Sequence, residues 1–253
     1  MRKILSTLAA GLALTACTVA LSGCETNDAL GRSQLILVSD SDLEASALQG
    51  WQQQLQTAKV SHDAVLNARI QKVGQRIVTA AGMGDRQWQY VLFEDDQPNA
   101  FVIPGNKVGV NTGLFKVVKN DDQLAAVLGH ETGHVIARHA AERASQQMAS
   151  QAVIEVAAGA TKGNVSQAVS NYGGLGAELG ILLPYSRKQE SEADRIGVDL
   201  MVKAGYKASE AVVLWQNMMA AGNTAPPEFL STHPSDKTRI KDLHDYIAAK
   251  GYK

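Results

Sequence analysis

Cysteine is nearly missing from this chain. The two it has, Cys17 and Cys24, both lie near the N-terminus, so no disulfide can staple the remainder. Long apolar runs are missing as well: after residue 24 no stretch reaches the ~18 apolar residues of a membrane-spanning helix. There is no excess of basic charge. The 24 Lys and Arg stand against 25 Asp and Glu, for a formal net charge of −1. With no basic patch either, nucleic acid is not expected as a partner. No internal repeat is found, which argues against a solenoid.

What the chain does have is His130-Glu131-Thr132-Gly133-His134, an H-E-x-x-H run in a segment with helical spacing. Residues four apart lie on one helix face, about one turn up, so two imidazoles can hold one metal ion. Glu131 is rotated roughly 100° from His130 and flanks the metal without ligating it, as a general base for zinc-activated water should. Asn120-Asp121-Asp122 supplies N-cap oxygens and acidic first-turn charge. Leu124, Val127, Leu128 and Val135 follow at helical spacing. A helix this apolar is buried, and a buried helix needs partners for two His and a Glu. The competing reading is an incidental His pair on a surface helix.

A catalytic zinc takes three protein ligands and keeps one position open. The metzincin pattern would need Gly at 137 and His at 140, where this chain has Ala137 and Ala140. On one continuous helix His139 points away from His130, so it is read as a structural or surface residue. His62 and His244 sit in polar stretches and are read as surface residues. The better source of a third ligand is the helix opened by Ser186, whose spacing to Gln189 is that of a capping box. Glu190 and Asp194 are four apart on it and share a side. One can bind zinc while the other accepts a hydrogen bond from a ligand imidazole. Glu192 is read as a solvated first-turn charge whose loss leaves the metal in place.

H-E-x-x-H followed by S-R-x-x-E-x-E-A-D-x-x-G resembles the gluzincin metallopeptidase family of HtpX, BepA, LoiP and the CAAX prenyl endopeptidases, over roughly residues 60 to 245. The resemblance implies Glu190 as third zinc ligand and Asp194 as the hydrogen-bonding partner behind a ligand. Asn99-Ala100-Phe101 resembles the family's N-A-F edge strand. There an extended substrate pairs with the backbone and the Asn side chain holds a substrate amide; strand addition of this kind gives affinity without demanding one sequence. His233-Pro234 resembles the family's H-P element, with Pro234 suited to a first helical position. The resemblance implies a His233 that faces the metal, to stabilise an oxyanion or to occupy the open position at rest.

The N-terminus addresses the protein. Arg2-Lys3 precede an apolar run, and Leu21-Ser22-Gly23-Cys24 resembles a bacterial lipobox in which Cys24 is lipidated. Leu14-Thr15-Ala16-Cys17 is a competitor, but cleavage there leaves an apolar stub, whereas Glu25-Thr26-Asn27-Asp28 makes a polar tether. An uncleaved membrane anchor is the other alternative. Cleavage before Cys24 removes Arg2 and Lys3 and no acidic residue, taking the net charge from −1 to −3. Glu25 is not the Asp that marks inner-membrane retention in enteric lipoproteins, so the resemblance implies the outer membrane, facing the periplasm.

The expected organisation is therefore residues 1–23 as signal peptide, 24–41 as lipidated N-terminus and irregular tether, and 42–253 as one peptidase domain. Helices are expected at 42–58, 62–81, 121 into the 140s, 186–204, 208–221 and 235–249, and strands at 87–93, 99–103 and 107–111. The fold class is α+β, mostly helical and zincin-like, with a small sheet beside the H-E-x-x-H helix. The glycine-rich segment 150–183 is either a small-residue hairpin or a lid. The expected function is a zinc-dependent endopeptidase acting on unfolded or misassembled envelope proteins, with one Zn²⁺ per chain. The alternative is a chaperone-like assembly factor that binds extended chains and cleaves rarely.

Overall fold

A computed structural model of the chain describes residues 24–157, 185–221, 232–233 and 237–253. The signal segment with Cys17, most of the 150–183 segment, Pro184 and Pro234 lie outside the described residues.

Two helices come first. Helix α1 (Asp40–Thr57) is capped by Ser39, whose side chain accepts from the Asp42 N–H. Helix α2 (Ala64–Ala80) is capped by Asp63, which accepts from the Leu66 N–H. Ile70, Val73, Gly74, Ile77 and Val78 line the buried face of α2, the three-and-four spacing of a half-buried helix. The sheet follows, built from β3 (Gln89–Phe93), β4 (Ala100–Ile103) and β5 (Lys107–Asn111) in the order β3-β5-β4. β5 runs parallel to β3 and antiparallel to β4, so β4 is an edge. Trp51 of α1 packs on Phe93 and Phe101 on one face of the sheet, and Phe101 fits because Gly109 opposite it has no side chain.

Helix α3 (Asp121–Ile136) begins at Asn120, whose side chain accepts from the Gln123 N–H. It is buried without interruption from Gln123 to His134. Helix α5 (Arg187–Lys203) opens with the capping box of Ser186 and Gln189 and lies against α3. A Cβ on Gly197 would sit 2.8 Å from the His130 nitrogen, and one on Gly133 would sit 2.7 Å from the Ala193 oxygen. Contact this close is open only to glycine, and it sets the metal-binding candidates of the two helices side by side. Helices α6 (Ser209–Ala221) and α7 (Lys237–Lys250) complete the main core, with Leu214, Trp215, Leu243 and Ile247 buried. No described helix is long and apolar enough to cross a membrane.

Two expectations change. The H-E-x-x-H helix does not run into the 140s: it stops at Ile136, Arg138 takes a left-handed conformation (φ 52°), and a new helix, α4 (His139–Ala157), starts. The segment expected as an irregular tether also has regular structure. β1 (Cys24–Asn27) and β2 (Arg32–Leu35) form an antiparallel hairpin, and its side chains reach the break. Gln34 donates to the Ala137 carbonyl at 2.8 Å and Asn27 to the Ile136 carbonyl at 3.3 Å. Arg138 forms ion pairs with Asp40 and Glu25. The hairpin thus satisfies carbonyls that an interrupted helix leaves open.

Candidate active site

Helix α3 presents His130 and His134 on one face, α5 brings Glu190 from the side, and His233 approaches from the short described segment before α7. One donor atom from each of these four buried residues fits within a group 4.8 Å across. His233 Nδ1 is 3.0 Å from Glu190 Oε1 and 3.2 Å from His130 Nε2. Glu131 is nearby, with Oε1 3.6 Å from His233 Nε2.

Hydrogen bonding behind the ring nitrogens shows what the cluster is built for. His130 Nδ1 is 2.9 Å from Asp194 Oδ1. An ionised Asp194 can only accept, so the His130 proton is on Nδ1 and Nε2 is a bare lone pair. His134 Nδ1 is 2.9 Å from His139 Nδ1, and His139 Nε2 is 3.1 Å from Glu192 Oε2. Glu192 accepts, so a neutral His139 carries its proton on Nε2 and offers Nδ1 as acceptor. His134 donates to it from Nδ1, and its Nε2 is bare too. The two Nε2 atoms face each other at 3.1 Å with no proton between them. Two lone pairs at that distance repel unless a cation lies among them. The donor set, two imidazoles and a carboxylate with a third imidazole beside them, suits Zn²⁺.

Electrostatics agree. Burial pushes the His130 and His134 pKa values below the ordinary 6.5, keeping both rings neutral. Burial works against ionisation of Glu190, but His233, Arg239 and His130 outweigh it and hold that carboxyl well below its usual range. Asp194 is likewise held low against burial, chiefly by Arg239. Burial pushes Glu131 up to about 7, although it accepts a hydrogen bond from the Val102 backbone. A carboxyl balanced near neutrality is suited to taking and returning a proton.

The Val102 contact orients β4. Asn111 N–H donates to Asn99 C=O, and in an antiparallel ladder inward-bonded residues alternate with outward-facing ones. Phe101 and Ile103 therefore bond to β5, while Ala100 and Val102 turn their backbone groups to the open edge beside Glu131. Asn99 is buried, and its Oδ1 has no hydrogen-bond partner among the described residues. A cleft of about 450 Å³ continues past this edge, bounded by Val102–Asn106, His134–Ile136, Leu43, Met83 and Tyr185.

Two expected bystanders prove to be partners. His139 is fully buried against His134, not turned away, because the break at Arg138 swings it off the α3 axis. Glu192 is held by His139 and by a bidentate contact from Arg32, at 2.7 Å to each oxygen, rather than being solvated. His62 and His244 are exposed, as read. Sequence reasoning missed Arg239 and Tyr185. Arg239 is buried over the Trp215 ring and pairs with Asp194 and Glu190, at 2.6 Å to each. Tyr185 stacks on His134 with centroids 3.9 Å apart. A basic residue six positions after His233 was the available signal for Arg239; Tyr185 had none.

An H-E-x-x-H helix joined at its metal-facing side by a glutamate from a second helix, beside a small mixed sheet, defines a zincin-like domain. The chain belongs to Peptidase family M48, whose family model matches residues 64–247. Members of this family use zinc, and the four-residue donor group fits one ion. The chain is 40% identical to the mitochondrial metalloendopeptidase OMA1 of Schizosaccharomyces pombe over 182 residues, 70% of this chain and 52% of that protein. It is 31% identical to OMA1 of Saccharomyces cerevisiae over 201 residues, 72% of this chain and 56% of the relative. With the β-barrel assembly-enhancing protease of Escherichia coli it shares 29% identity over 198 residues, 75% of this chain and 40% of that one. The chain thus spans about half the length, or less, of these curated relatives.

Proposed function

We propose that this protein is a zinc-dependent endopeptidase of the bacterial cell envelope that cleaves extended polypeptide chains. The observation that carries the reading is the pair of bare imidazole nitrogens facing each other at 3.1 Å with Glu190 and His233 closing the group. His130, His134 and Glu190 would hold the metal, with His233 as a fourth donor at rest. Zinc bound there supplies Lewis acidity, acidifying water and polarising a carbonyl.

The chain's own residues do the rest. An extended substrate pairs with the outward backbone groups of Ala100 and with the Val102 carbonyl, the Val102 N–H being engaged by Glu131, with the Asn99 amide oxygen available to a substrate N–H. Glu131, held beside that edge, takes a proton from the attacking water and delivers it to the leaving amine nitrogen. His233, 3.6 Å from Glu131, is near enough to donate to the developing oxyanion once it swings from the donor group. Asp194 and Arg239 keep His130 and Glu190 oriented throughout.

The envelope assignment draws on the lipobox at Cys24 and on similarity to a β-barrel assembly-enhancing protease; periplasm-facing attachment to the outer membrane and misassembled envelope proteins as substrates belong to the same reading. Incubating the purified protein with unfolded casein is the test. Hydrolysis should stop on chelation and return with zinc. Binding of casein without hydrolysis in any metal state would instead favour the chaperone-like alternative.

A further inference from the structure

His139 and Glu192 stand in line behind His134. Metal ligands on a helix need their rings fixed in one tautomer, and the partner that fixes them governs affinity. For His130 that partner is Asp194. For His134 it is not a carboxylate but a second imidazole.

We propose that His139, Glu192 and Arg32 form a relay that positions His134 for zinc, making the N-terminal hairpin an outer wall of the metal centre. The proposal rests on the reading of His134 as a zinc ligand. Hydrogen accounting allows one arrangement compatible with that role. His134 must present Nε2, so Nδ1 carries its proton and donates to His139 Nδ1 at 2.9 Å. His139 then has its proton on Nε2, directed to Glu192 Oε2 at 3.1 Å. A reversed relay would put a hydrogen on His134 Nε2, aimed into the donor group, and block coordination. Glu192 is what selects the productive direction, because a carboxylate accepts and cannot donate.

Glu192 is itself anchored. Arg32 on β2 holds it with two bonds of 2.7 Å and holds Glu142 of α4 with bonds of 2.6 and 2.9 Å. Planar guanidinium forks fix carboxylate orientation as well as position. Gln34, two residues further along β2, bonds both Glu142 and the Ala137 carbonyl at the helix break. One strand therefore fixes the break that aims His139 and the carboxylate that His139 donates to. The relay runs from β2 to α5 to α4 to α3, with 160 positions of sequence between Arg32 and Glu192.

Zinc affinity, measured by competition with a chromophoric chelator on the full chain, is the readout, and the spectrum of the Co²⁺-substituted protein reports coordination directly. His139→Leu keeps apolar volume but removes the acceptor; His139→Asn puts an amide oxygen close to where Nδ1 stood. Affinity should fall about 10–100-fold for His139→Leu and recover in large part for His139→Asn. A purely packing role predicts the reverse order, with leucine better tolerated than asparagine in a fully buried position. Should His139→Leu not fold, Glu192→Ala, at the half-buried end of the relay, carries the test and should weaken binding and alter the Co²⁺ spectrum in the same sense. Unchanged affinity and spectrum in these variants, with wild-type protein binding zinc normally, would overturn the relay alone. Wild-type protein that binds no zinc would overturn the metal-site reading, and the relay with it.

Discussion

Glu131 illustrates how one carboxyl can be kept next to a metal site without being drawn into it. Its backbone lies one residue past His130 in the buried stretch of α3, its oxygen is bonded by the Val102 N–H, and burial raises its pKa to about 7. Glu131→Gln keeps the shape and the Val102 bond but cannot take a proton. The variant should retain zinc at wild-type stoichiometry and lose casein hydrolysis by about 10²–10⁴-fold, the usual range for a general base. Metal analysis and proteolysis on the same sample check it; full activity in the zinc-loaded variant would remove Glu131 from the mechanism. At this scale the sequence was informative wherever function repeats at helical spacing. His130 with His134, and Glu190 with Asp194, each pair four apart, and the structure turns each pair into the site. Arg239 and Tyr185 were not legible, because each arrives from a distant part of the chain and neither belongs to a periodic pattern. His139 departs from its sequence expectation for one physical reason: the helix on which it would point away from His130 ends three residues earlier, at Ile136.

The elements that matter most are α3 and α5, and their approach depends on hydrogen atoms where side chains would be. Gly129, Gly133 and Gly197 interleave, and a Cβ on Gly129 would lie 2.9 Å from the Gly197 oxygen. The atoms such a Cβ would meet are backbone, which cannot swing aside as a side chain can. Gly197→Ala should therefore push α5 away from α3, costing about 1–3 kcal/mol of stability as overpacked substitutions do. Because Glu190 and Asp194 ride on α5, zinc affinity should fall in step. Urea unfolding together with chelator competition checks this, and a variant of undiminished stability and affinity would mean the helices have room to spare. Helix positions and the three-stranded sheet were readable from capping residues and alternation, with ends off by a residue or two. The break at Arg138 was not, since arginine carries no propensity for a left-handed backbone. That conformation is imposed by partners on the hairpin and on α1, which lie about a hundred positions upstream.

For the whole molecule, the hairpin ties the beginning of the described chain to three helices, and two consequences can be measured. The first is acid sensitivity. Burial works against ionisation of Glu142, yet bonds from Arg32, Gln189 and Gln34 hold its pKa below the ordinary 4.5. Glu192 is the other carboxylate on Arg32, and bonds from His139 and Arg32 hold it below its ordinary range against burial. A carboxyl lowered in the folded state contributes stability that is complete above pH 4.5 and fades as pH falls below it. Arg32→Ala should lower stability at pH 7 and flatten the loss between pH 4.5 and 3, because less depression remains to be titrated. Urea midpoints across that range decide it, and parallel pH profiles for the two proteins would contradict the assignment.

The second consequence concerns attachment. Cys24 is exposed and is the first residue of β1, paired with Leu35 across the hairpin. A lipid on that residue would leave no slack between membrane and fold, since Glu25 already contacts Arg138 at the helix break. Under the lipoprotein reading, the hairpin then lies at the membrane surface while its other strand braces the metal centre. Cys24→Ser should release the protein from membranes, whereas Cys17→Ser should leave it lipidated and sedimenting. Mass spectrometry of the mature N-terminus identifies the residue that carries acyl chains. Acylation of Cys17 instead would put Thr18–Gly23 between lipid and hairpin, restoring a spacer and separating the anchor from the metal site; a Cys24→Ser protein that stays fully membrane-bound and acylated would demonstrate that arrangement.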